Sequence, residues 1–244
     1  MFCNIKLNRS STQQHVLAGV LASMFLLCAH AQTIPLDSTG GFEPHGVNIQ
    51  DVTYKGRKAL RVTSLTESDA AWKSNPSGTG GGIVLVPKTL FHDGTIDVDV
   101  AGMPQANAPA DARGFVGLAF RSKPDGSKYE CVYIRPTNGR ADDQLRRNHS
   151  TQYCSYPDYE WSRLRAESPG KYESYADLVP GEWTHLKIEA SGVKMRLYVN
   201  RAQQPTLIVN DLKMGDTEGA IALWIGVGTE AYFAGLQVKS SALP

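Results

Sequence analysis

Residues 95–100 read Thr-Ile-Asp-Val-Asp-Val: every second side chain is apolar and β-branched, and every one between is polar. A helix turning every ~3.6 residues would scatter this pattern, whereas a strand sorts it into one dry and one wet face. The same alternation, or a short β-branched and aromatic run, recurs at 59–64, 82–86, 94–100, 115–121, 128–135, 183–190, 194–200, 206–209, 220–225 and 231–239. Turn-forming residues separate the runs, most sharply at Pro124-Asp125-Gly126, Pro180-Gly181 and Ser191-Gly192, where fixed or left-handed backbone angles are needed. Helical periodicity is scarce. The pattern predicts an all-β chain: a single antiparallel β-sandwich of the jelly-roll type with one long polar loop. The glycine run at 78–82 precedes a strand and lacks a phosphate-loop lysine, so it reads as a turn.

The first 31 residues obey a different rule. Lys6 and Arg9 are followed by an apolar run at 16–27 and then by Ala29-His30-Ala31. Basic, apolar and small, in that order, is the layout of a secretory signal peptide. The run falls short of the roughly 20 apolar residues that a membrane span needs. The expectation is therefore a signal at 1–31, a domain at 32–244 with no membrane span, and a secreted or periplasmic location. Without the signal, the 25 basic residues lose Lys6 and Arg9 and stand nearly level with the 24 acidic ones. Nucleic-acid binders carry a strong, clustered basic excess, so none is expected as a partner. With 41% hydrophobic residues the chain is also not of disordered composition. Cys131 and Cys154 are an even pair in an oxidising compartment, and a disulfide and two buried thiols both fit. Neither has a histidine at metal-ligand spacing, so no zinc site is expected.

From Arg135 to Leu178 no convincing strand appears before 172–178, and only a short helix is expected, around 141–148. So long a loop in a small domain usually carries function. Its residue types suit a sugar: planar amides and guanidinium groups match vicinal hydroxyls, and rings stack on a pyranose face. The candidate substrate-binding residues are Tyr133, Arg135, Asn138, Arg140, Gln144, Asn148 and Gln152. His149, Tyr153 and Arg147 are the candidate catalytic ones: base or acid, and a cation for a developing oxyanion. Cleavage of a retaining-glucanase kind needs carboxylates in a set spacing. Glu67-Ser68-Asp69 begins such a series but Trp72 ends it, and Asp97 with Asp99 reads as a strand's wet face. Calcium is a weak expectation, through Asp37, Asp142, Asp143 or Asp216, without EF-hand spacing. Trp183, Trp224 and Tyr232 read as packing residues.

The stretch Tyr133-Ile134-Arg135-Pro136-Thr137-Asn138-Gly139-Arg140, then Asp143-Gln144 and Asn148-His149-Ser150-Thr151-Gln152-Tyr153, resembles bacterial secreted concanavalin A-like (laminin-G-like) domains. Leu223-Trp224-Ile225-Gly226 and Gly228-Thr229-Glu230-Ala231-Tyr232-Phe233 carry the same likeness. These domains lie near the 3-keto-disaccharide hydrolase-like family. The resemblance implies a concanavalin A-like sandwich and an oligo- or polysaccharide partner. The chain lacks the Phe-Asp-Gly-Lys opening and following tryptophan of the keto-sugar hydrolases. Three readings stay open: glycan binding, glycoside cleavage by 3-keto-glycoside hydrolysis or by elimination, and structural adhesion.

Overall fold

In the computed structural model the described residues are Met1, 30–65 and 82–241 apart from 107, 109 and 111. The strands are β1 (His30–Ile34), β2 (Glu43–His45), β3 (Val47–Tyr54), β4 (Arg57–Ser64), β5 (Gly82–Leu85), β6 (Gly94–Pro104), β7 (Val116–Ser122) and β8 (Tyr129–Ile134). Helix α1 (Gln144–Asn148), β9 (Thr151–Tyr156), α2 (Trp161–Glu167) and β10 (Glu173–Ser174) follow. The chain closes with β11 (Thr184–Ser191), β12 (Lys194–Val199), β13 (Leu207–Val209), β14 (Ala220–Ile225) and β15 (Thr229–Ser240). All ten runs expected as strands are strands, and they build two antiparallel sheets packed as a sandwich. One is eight-stranded in the order β13-β12-β11-β6-β15-β4-β3, with β1 also on β15. The other is seven-stranded, β10-β9-β8-β7-β14-β5-β2.

Side-chain parity decides what meets what. Ile96, Val98 and Val100 of β6 align with Ile188, Leu186 and Thr184 of β11, and the apolar members are fully buried. From the other sheet come Val116, Leu118 and Phe120 of β7, Val132 and Ile134 of β8, and Leu223 and Ile225 of β14, all at most 1% exposed. Val116 reaches across to Gly102 of β6. Burying such side chains stabilises by about 1.5–3 kcal/mol each and supplies most of the drive to fold.

The opposite face of the seven-stranded sheet is aromatic. Tyr133 of β8 and Trp224 of β14 both stand opposite Gly117 of β7. They stack across it, centroids 4.5 Å apart and planes 24° off parallel. On the same face Tyr129 stacks on Tyr156 at 5.1 Å. Cys131 and Cys154 are direct cross-strand partners between these pairs. Both thiols are free and buried. Burial pushes the Cys131 thiol well above its ordinary range.

The long polar loop is partly structured. β9 runs through its middle, α1 precedes it, α2 follows, and the strand expected at 172–178 shrinks to Glu173–Ser174. β9 hid from the sequence because nearly all of it is buried whatever its polarity: Thr151, Gln152 and Ser155 are at most 3% exposed. The expected helix at 141–148 is α1, whose N-cap Asp143 accepts from Arg146 N at 3.0 Å. Residues 2–29, which hold the expected signal, and 66–81, which hold Glu67, Trp72 and most of the glycine run, lie outside the described residues. His30 and Ala31, the last two residues of that expected segment, pair with Ser240 and Lys239 at the outer end of β1. Among the described residues no helix is long and apolar enough to cross a membrane.

A Cβ at Gly117 would lie 2.1 Å from the Val132 carbonyl oxygen and 2.7 Å from Tyr133 Cβ. Gly117→Ala is therefore expected to cost roughly 2 kcal/mol, several degrees in Tm, and to weaken the near-ultraviolet circular dichroism of the Tyr133–Trp224 stack. An unchanged spectrum and Tm would show that β7 and β8 are not packed as described.

Candidate functional site

Arg135 leaves β8 and turns its guanidinium back over the aromatic face. Nη1 donates to the His149 carbonyl at 2.9 Å and to Glu173 Oε1 at 3.1 Å. Nη2 donates to Tyr133 Oη at 3.1 Å and Gln152 Oε1 at 3.0 Å. Its plane lies over the Phe115 and Tyr133 rings, 5.3 and 5.2 Å from their centroids. With Arg135 only 4% exposed, this set of acceptors replaces the water that the cation loses.

Glu173 is the second pole. Register places it beside Gln152 on the β9–β10 pair. Arg165 of α2 donates to its carboxylate through both Nε, at 3.0 Å, and Nη2. Burial alone would raise the Glu173 carboxyl. The Arg165 hydrogen bond and the Arg135 and Arg165 charges outweigh it and hold the group below the usual glutamate range. His149 Nε2 stands 3.5 Å from the same carboxylate. For His149 burial dominates and, with Arg165 and Arg135 nearby, lowers its basicity in spite of Glu173. The imidazole is thus mainly neutral at neutral pH.

Above this buried pair lies a rim open to solvent. Arg147 of α1 donates to Tyr175 Oη at 3.0 Å, and its guanidinium lies 5.0 Å from the centre of that ring. Arg165 lies 4.7 Å from the centre of the Trp161 ring. Trp161 and Tyr175 are 43% and 42% exposed, among the few large apolar side chains left in water. Gln144 Nε2 donates to Asn148 Oδ1 at 2.7 Å on the exposed side of α1.

The structure thus gathers Tyr133, Arg135, Asn138, Gln152 and His149 around one buried network, with Arg147, Gln144 and Asn148 on the rim. Asn138 Nδ2 donates to the His149 carbonyl at 3.2 Å and is 5% exposed. Buried so fully, Tyr133, Asn138 and Gln152 shape the site from beneath rather than offer polar atoms to a ligand. Two expected residues stand apart. Tyr153 points between the sheets, fully buried, donating to Glu130 Oε2 at 2.7 Å and accepting from Lys213 N at 2.8 Å. One step along a strand reverses the face, so Gln152 can join the network only if Tyr153 does not. Arg140 is tied to Asp177 at 2.8 and 3.0 Å on the exposed surface. Sequence reasoning missed Glu173 and Tyr175. A lone acid between tyrosines, downstream of so many arginines, was the available signal.

Among the described residues one His/Asp group places ligand atoms within 4.8 Å of one another: His92, Asp93 and Asp216. Asp93 Oδ1 already accepts from Gly192 N at 2.9 Å and from the Arg121 guanidinium at 3.0 Å, whose side chain is fully buried. Calcium takes six to eight oxygen ligands, and here it would sit against a desolvated cation. The group does not fit calcium. Asp143 is engaged as a helix cap.

No family model and no curated protein matches the chain. Solved structures do. The carbohydrate-binding module CBM66 from Bacillus subtilis superposes with a TM-score of 0.54 at 16% identity, over 82% of this chain and 96% of that one. A protein of unknown function with a galectin-like fold from Bacillus subtilis gives 0.55 at 13% identity, over 86% and 94%. A prokaryotic β-1,3-1,4-glucanase (lichenase) derived from a mouse hindgut metagenome gives 0.53 at 12%, over 86% and 99%. At these identities the likeness shows the fold: a concanavalin A-like sandwich.

Arg135→Leu removes one of the two arginines on Glu173 and the donor to the Tyr133 hydroxyl and Gln152 Oε1, and is expected to cost about 1.5–3 kcal/mol by chemical denaturation. The Glu173 carboxyl is lowered on folding, so its stabilisation is present above the ordinary glutamate pKa of about 4.3 and fades as pH falls through the lowered folded value. Glu173→Gln should accordingly be less stable than the parent at pH 7, with the gap closing below about pH 4. A gap that stays constant with pH would deny the Arg135–Glu173–Arg165 coupling.

Proposed function

We propose that this chain is a secreted carbohydrate-engaging protein that binds glycan at the rim carried by α1, α2 and β10. The observation that carries this reading is the pair of exposed rings, Trp161 and Tyr175, each backed by an arginine. Arg165 is fastened to the buried Glu173–Arg135 pair. A ring held still loses little freedom on stacking against a sugar face, and the amides of Gln144 and Asn148 supply donors and acceptors beside it. The fold shared with a carbohydrate-binding module and a lichenase supports the reading, as does the export layout of residues 1–31.

Glycoside cleavage by elimination is the second reading, favoured by one observation: His149 is held neutral beside two arginines. A neutral imidazole can take a proton next to a carbonyl while a guanidinium steadies the enolate oxygen, and the imidazolium so formed can return that proton to the glycosidic oxygen as its C–O bond breaks. Arg147 and Arg165 are the cations on that rim.

Each of Trp161→Ala and Tyr175→Ala is expected to weaken retention on immobilised glycan by about three- to tenfold, with Tm unchanged. His149→Ala should leave retention intact. If the parent releases unsaturated or keto-sugar products detectable by mass spectrometry, the same substitution should abolish them. Full retention by the double ring variant would place binding elsewhere.

A further inference from the structure

The other sheet has a groove of its own. On the outward face of the eight-stranded sheet, β6, β11 and β12 line an open groove of about 450 Å³. Its floor is set by register: Asp97, Lys187 and Tyr198 form one cross-strand row, and Asp99 with His185 forms the next. His185 Nδ1 meets Asp99 Oδ1 at 2.8 Å, and Nε2 stands 3.3 Å from Asp97 Oδ1. Lys187 pairs with Glu189, which also accepts from Tyr198 Oη at 2.9 Å. Arg57 closes the set by donating to Asp99 at 2.7 Å.

The remaining wall is a strained turn. Ala202 N donates to the Val199 carbonyl at 3.1 Å. The two central residues, Asn200 and Arg201, have φ of 53° and 59°. Asparagine tolerates that region, while arginine there costs of order 1 kcal/mol. Asn200 is also locked to the backbone of His185 in both directions, at 2.8 and 3.1 Å. The turn places Arg201 at the groove's edge beside Gln203, both exposed, and neither side chain has a hydrogen-bond partner among the described residues. Beyond Arg57 the same face continues as an aromatic shelf. The Arg57 guanidinium lies 4.7 Å from the Trp183 ring centre, Tyr54 meets Trp183 edge-on at 5.7 Å, and Tyr54 stacks on Tyr232 at 3.6 Å.

We propose that this groove and its shelf form a second saccharide site, separate from the rim. On the floor Asp97, Asp99 and Glu189 are engaged by His185, Arg57 and Lys187. What is left unsatisfied is a guanidinium, a primary amide and the spare lone pairs of paired carboxylates. That mixture of donors and acceptors matches hydroxyl groups, and Trp183 supplies a face for a ring. The inference rests on the carbohydrate reading above but names different residues.

The test uses the full chain in affinity electrophoresis against galactomannan and laminarin as neutral probes and polygalacturonate as the charged one. Arg201→Gly relieves the left-handed strain, so Arg201→Gly/Gln203→Ala should fold with an equal or higher Tm. It should nonetheless lose about tenfold in retention on a neutral probe. In the Trp161→Ala/Tyr175→Ala background the groove variant should produce a further loss of similar size. Parental retention by the groove variant, with loss confined to the ring variant, would overturn the second site and leave the carbohydrate reading standing. No retention of any probe by the parent would overturn the carbohydrate reading and the groove together.

Discussion

A guanidinium stripped of water destabilises a fold unless every direction in which it donates meets an acceptor. Arg135 meets that demand at both terminal nitrogens with a backbone carbonyl, a carboxylate, a phenol and an amide, drawn from α1's C-terminal end, β10, β8 and β9. The elements around it are too short to hold themselves. α1 has five residues and β10 two, far below the length at which a helix or hairpin is stable alone. Their geometry comes from the charge between them, and the rim residues inherit it: Arg165 through Glu173, and His149 through its own carbonyl.

The two sheet faces use different physics. The inter-sheet side is mainly apolar, with the Tyr153–Glu130 hydrogen bond set into it. The aromatic side of the seven-stranded sheet depends on a single missing side chain, Gly117, to let Tyr133 reach Trp224. That stack continues through Phe115 and Tyr133 to Arg135, so the packing of β7 and the electrostatics of the rim are parts of one structure.

Strands with one wet face, such as β6, β11 and β12, were legible in the sequence because alternation reports the dielectric on either side. β9 was not, since burial on both faces erases the alternation, and its polar residues read as loop. Within the site, residue type was legible and parity was not: Gln152 and Tyr153 both offer hydrogen-bonding side chains in sequence, yet only the register with β8 decides which one faces Arg135. Glu173 becomes meaningful only through its pairing with Gln152, 21 positions earlier in the chain, and the Asp99–His185 contact spans 86 positions. No local pattern encodes either.

The sheet ends have a consequence for how this molecule meets its own copies. β2 and β13 have three residues and β10 two, so a strand from another chain would find two or three rungs there, too few to hold against thermal motion. β3, eight residues long, is the longest terminal strand among the described residues, and β1, with five, is the next. β3 carries Asn48, Gln50 and Asp51 in its middle, and polar and charged side chains at a sheet edge oppose lateral addition. Among the described strands, the sheet ends are thereby poor templates for lateral addition of another copy.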